Sequence, residues 1–107
     1  MNGIELIAKE RQEQIEKHQF TIEKDSLTNK AYQLTEAAAI LSTEKVRSSR
    51  HRFLLMPDCW DDELAYKMCR KSRKDRLIIA GALIAAELDR IIYDEQSGKE
   101  PGEGEIK

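Results

Sequence analysis

Cysteine, glycine, proline and aromatic residues are all scarce in this chain, and each shortage argues against a class of protein. The two cysteines, Cys59 and Cys69, form no CxxC pair; that speaks against a disulfide scaffold or a zinc site and for reduced thiols in a cytoplasmic protein. Five glycines and two prolines leave no Gly-rich phosphate loop, and no Ser–His–Asp order is present. Apolar runs fall well short of the ~20 residues of a membrane span. The first residues read as an amphipathic helix containing acids, not as a targeting peptide. Charge of one sign is lacking too: the net charge is −2, which gives no overall case for nucleic acid. No internal repeat appears.

Charge and helical periodicity are what the chain does have. With 36% charged and 6% aromatic residues among 107, it suits a small all-α domain with a thin core and a solvated outside. Residues 75–94, DRLIIAGALIAAELDRIIYD, carry no strand-like alternation. Leu77, Gly81, Ile84, Leu88 and Ile91 recur on one helix face, while Ile78, Ile79, Ala80, Ala82, Leu83, Ala85 and Ala86 fill the others. A helix apolar all round is central or shared between subunits. The expected architecture is therefore all-α, with three to four helices around this C-terminal helix, completed by homo-oligomerisation, a two-fold dimer first. One domain is expected over 1–95, with residues 96–107 a disordered tail.

Taken in order, Asn2 is placed to cap a first helix reaching about His18, with Ile4, Ile7, Ala8, Arg11, Ile15 and His18 on one face. Arg11 lies in the middle of that apolar face, so it must snorkel out or meet a carboxylate. A connection over Phe20–Asn29 leads to a second helix, from Ser26 or Thr28 to about Leu41, striped by Ala31, Leu34, Ala37, Ala38 and Leu41. Residues 42–60 form the longest irregular stretch. Asp58 or Asp61 is positioned to cap a third helix over roughly 61–71, anchored by Trp60. The basic segment RKSRK then feeds the central helix, with Asp75 in its first turn, where the macrodipole favours an acid.

Three constellations carry candidate chemistry. Glu10, Arg11, Glu13 and Gln14 on the first helix face Glu87, Asp89 and Arg90 on the central one. They make either a polar pocket for a cation and a phosphate or an Arg11–Glu87 salt bridge that fixes helix register. The basic run 70–76 precedes a long helix, whose free backbone amides attract anions. His18, with Asp25 nearby in sequence, caps a helix end or binds a ligand. Trp60 and Tyr93 read as packing anchors.

ERQEQ at 10–14, His18, Thr21, Asp25, Ala37, Ala38, Trp60 and KDRLIIAGALIAAELDR at 74–90 together resemble a family of small phage- and prophage-encoded proteins. Its members have an ERxxQ opening and a DLxxAGALxxAExxR closing helix, and the likeness covers most of positions 8–92. The family carries Gly-Trp after the first helix where this chain has Gln19 and Phe20. Its helical build is similar to that of the MazG-like all-α nucleoside triphosphate pyrophosphohydrolases, which hold magnesium with an ExxE and an ExxD helix. Glu10 and Glu13 match the first element; Glu87 and Asp89, two residues apart, depart from the second. The resemblance implies a metal-dependent nucleotide pyrophosphohydrolase, with Glu10 and Glu87 binding Mg2+ or Mn2+. Arg11, Gln14, His18, Lys74, Arg76 and Arg90 would hold the nucleotide or phosphate. The alternatives are a non-catalytic oligomer binding a nucleotide or other small anion, and a structural or adaptor module whose polar cluster only fixes helix packing.

Overall fold

The computed structural model describes residues 1–18, 32–44, 48–57 and 60–96, and these form five helices with no strand. Helix α1 (Gly3–His18) starts at a reciprocal cap: Asn2 Oδ1 accepts from the Glu5 amide at 3.0 Å, and Glu5 Oε1 accepts from the Asn2 amide at 2.9 Å. Helix α2 (Gln33–Ser42) follows Tyr32, whose φ of 75° lies in the left-handed region. Helix α3 (Ser49–Leu54) is capped by Ser48, and α4 (Asp62–Cys69) by Asp61, whose side chain accepts from the Leu64 amide at 2.9 Å. Helix α5 (Arg73–Gln96) is the longest.

The core lies where α2 meets α5. Leu34, Ala37, Ala38 and Leu41 of α2 pack on Ile79, Ala80, Leu83 and Ala86 of α5. Their small side chains allow close approach. Met56, Trp60, Ala65, Met68 and Cys69 extend the cluster beneath α3 and α4. Helix α1 also packs on α5, with Ile7 lying over Gly81; a Cβ there would stand 2.6 Å from Ile7 Cδ1, so a larger residue would require the Ile7 side chain to shift.

The expected all-α hub is thus present, with three differences. The stretch 42–60 is not wholly irregular, because α3 lies within it; a helix of six residues is too short to leave a periodic signature. The second helix begins at Gln33, after a Tyr32 in the left-handed region that ends any helix before it, and not at 26–28; Ala31 and the Phe20–Asn29 connection lie outside the described residues, as do Asp58 and 97–107. Finally, the face carrying Leu77, Ile84 and Leu88 is not the buried one: these are 40%, 48% and 56% exposed. Both faces of α5 are apolar, so hydrophobicity alone did not say which one the rest of the chain covers.

Candidate functional site

Arg11 is buried on α1 and meets an acid on the central helix, as an arginine on an apolar face must. The acid is Asp89, whose Oδ2 accepts from both Nε and Nη2 at 3.4 Å. This corrects the expected pairing with Glu87. Both acids stand on α5, but two residues apart they lie about 200° from one another around the helix, on opposite sides; α1 packs on the side that carries Asp89, and neither helix's periodicity says which side that is.

Glu87 is instead held within α5. Arg90 donates from Nε to Glu87 Oε1 at 2.6 Å and from Nη2 to Oε2 at 3.2 Å, and from Nη1 to Asp94 Oδ2 at 2.8 Å. Glu87 and Arg90 are both buried. Here i, i+3 and i, i+4 spacings align a bidentate pair and a third bond on one helix face.

Three arginines converge on the C-terminal end of α2. Arg52 Nη1 donates to the carbonyls of Ile40 at 2.7 Å and Thr43 at 2.5 Å. Arg76 Nη1 donates to the Leu41 carbonyl at 2.8 Å and its Nε to the Lys71 carbonyl at 3.2 Å. Arg73 donates to the Ser42 carbonyl at 3.2 Å and to Glu44. The last carbonyls of a helix are its negative pole and lack intrahelical donors, which is why cations collect there. Hydrogen bonding from Arg73, with the Arg76 guanidinium close by, holds the Glu44 carboxyl below the usual range.

A groove of about 240 Å³ opens between α1, the turn at Lys71 that follows α4, and α5. Lys9, Glu10, Glu13, Lys71 and Asp75 line it, over a floor of Leu6, Ile78 and Ile79. Lys67 borders the adjoining recess, which shares Glu10, Glu13 and Lys71. Partial burial, and then the charge of Glu13, push the Glu10 carboxyl above its ordinary range, although a hydrogen bond from Gln14 opposes the shift. Gln14 is fully buried; its Nε2 donates to Glu10 Oε2 at 3.4 Å, and its Oε1 has no hydrogen-bond partner.

The expected site residues therefore separate into different surroundings. Glu10 and Gln14 stand together beside the groove, Arg11 is bonded to Asp89, and Glu87 and Arg90 to one another. Arg76 braces α2, Lys74 is exposed, and His18 is the last residue of α1. As ligands of one ion, Glu10 and Glu87 fit poorly. Both Glu87 oxygens already accept from a guanidinium, and among the described residues no group of three or more His, Cys, Asp or Glu side chains is placed to share a metal. Cys69 offers no nucleophile: burial pushes its thiol up to about 11. Sequence reasoning passed over the clamp on α2; its only signal was the density of arginine around positions 50–76.

No family model, curated protein or solved structure matches the chain. No helix among the described residues is long and apolar enough to cross a membrane.

Proposed function

We propose that the chain is a non-catalytic helical assembly module, in which buried charge holds helices in register instead of holding a substrate. One observation carries this reading: the buried guanidiniums that a phosphate would need are engaged by the chain itself, Arg11 by Asp89, Arg90 by Glu87 and Asp94, and Arg76 by the Leu41 carbonyl. A ligand would have to displace those bonds and leave buried acids or carbonyls unpaired, at a cost of several kcal/mol.

A second reading rests on the groove. Lys9, Lys67 and Lys71, which border it beside Glu10 and Glu13, could receive a small anion such as a nucleotide phosphate. Hydrolysis of a nucleoside triphosphate, the activity implied by the MazG-like resemblance, would need Glu10 and other acids to gather an ion, and their present arrangement gives it the least support.

One panel separates the three. Ribo- and deoxyribonucleoside triphosphates are offered with magnesium or manganese while melting temperature and pyrophosphate release are followed. The module reading predicts neither a shift nor release. A melting shift lost in Lys71→Glu, without turnover, would establish the groove as a binding site. Pyrophosphate release abolished by Glu10→Gln would overturn the module reading in favour of the enzyme.

A further inference from the structure

The apolar stripe of α5 left uncovered by the rest of the chain has a regular form. Leu77, Ile84, Leu88 and Ile92 are 40%, 48%, 56% and 48% exposed, and Ile91 lies half-buried beside them. Their spacings of seven, four and four residues keep them on one side of the helix, over a length of ~22 Å. On α1, Ile4, one turn before the Ile7 that covers Gly81, is also 81% exposed.

Charge at the two ends of this stripe says what covers it. Lys74 stands exposed near its beginning and Glu95 near its end, and neither is paired among the described residues. They are separated by 21 positions, ~31 Å along the axis, so they cannot meet within one copy. Two α5 helices packed antiparallel, with the two-fold axis passing between Ile84 and Ala85, bring Lys74 of one copy to Glu95 of the other at both ends. The same pairing sets Leu77 of one copy against Ile92 of the other and opposes the helix dipoles favourably. A parallel pairing would put Lys74 beside Lys74 and Glu95 beside Glu95. The acid Glu95, in line with the stripe at its end, departs from an interfacial helix, whose polar border is lysine and arginine.

We infer that a second copy of this chain covers the Leu77–Ile92 stripe of α5 in an antiparallel two-fold dimer, registered by Lys74–Glu95 pairs between copies. The inference rests on the assembly reading above and names its partner.

Sedimentation of the full chain over a range of concentrations tests it. The expected result is a mass rising from 12.3 kDa towards twice that value. Ile84→Glu with Leu88→Glu should give a monomer with unchanged helical circular dichroism, because both side chains are exposed in the single copy. Lys74→Glu alone should weaken dimerisation about tenfold, as expected for losing paired charges and gaining repulsion at both ends. Lys74→Glu with Glu95→Lys should restore it, which also covers the case that the double glutamate variant fails to fold. A wild-type monomer at every concentration overturns the inference, as does a dimer indifferent to the stripe variants or one that the charge exchange fails to restore. A monomer that leaves every nucleotide unbound removes this interface alone. A dimer that releases pyrophosphate keeps the interface and removes the module reading.

Discussion

Glu10 stands where two demands on a carboxylate conflict. Burial and the neighbouring Glu13 favour its neutral form, while the amide of Gln14 favours the ionised one, and the net effect is a raised pKa. In the folded chain Glu10 therefore binds its proton more tightly than in the unfolded chain. Its proton-linked contribution to stability is full below the unfolded value and declines as pH rises through the folded one. Glu10→Gln removes this titration. The variant should thus gain on the wild type as pH rises from the acid range to neutrality, with the difference shrinking again on acidification. Melting temperatures of both proteins across that range check it; a constant difference would show that Glu10 does not titrate between the two states. Gln14 belongs to the same account: its buried Oε1 has no partner, so its place is set by packing and by the single bond to Glu10.

Among the elements, α2 depends most on what lies outside it. Its N-terminal end has no side-chain cap and begins at a left-handed tyrosine, whereas its C-terminal carbonyls receive three guanidiniums. Arg52→Leu should leave the Ile40 and Thr43 carbonyls short of a buried donor and cost about 2–3 kcal/mol. The measurement is urea unfolding, with hydrogen exchange at the end of α2 accelerated more than in α5. Much of this element level was readable in advance. The Leu34–Ala37–Ala38–Leu41 stripe, the caps at Asn2 and Asp61 and the central place of α5 follow from local periodicity and side-chain chemistry. What was not readable depends on how elements are set against one another. Asp89 takes Arg11 in place of Glu87 because α1 packs on the side of α5 that carries Asp89, Arg76 turns from a phosphate candidate into a brace because α2 ends beside it, and the exposed side of α5 is fixed by which face the small residues of α2 can approach.

At the level of the whole molecule, charge is arranged in two tiers. Arg11, Arg52, Arg76, Glu87 and Arg90 are buried and bonded inside the chain, while among the described residues the lysines and most acids lie outside or around the groove. The thin core of alanine and leucine gives α5 little to fix its rotation and axial position, and directional bonds from buried guanidiniums supply that restraint. Replacing one member of the Glu87–Arg90 pair strands the other; replacing both with apolar residues strands neither and costs only the bond from Arg90 to Asp94, which the Arg90 variant alone loses too.

The pair Glu87–Arg90 therefore gives the sharpest test. Global stability is measured by urea unfolding for Glu87→Leu, for Arg90→Met and for both together. If the buried charges are packing locks, each single variant loses about 3 kcal/mol, and the double variant loses less than the two added, by 1 kcal/mol or more (an order-of-magnitude coupling), while remaining helical. Single variants that unfold no more easily than the wild type, or losses that simply add, would contradict the account.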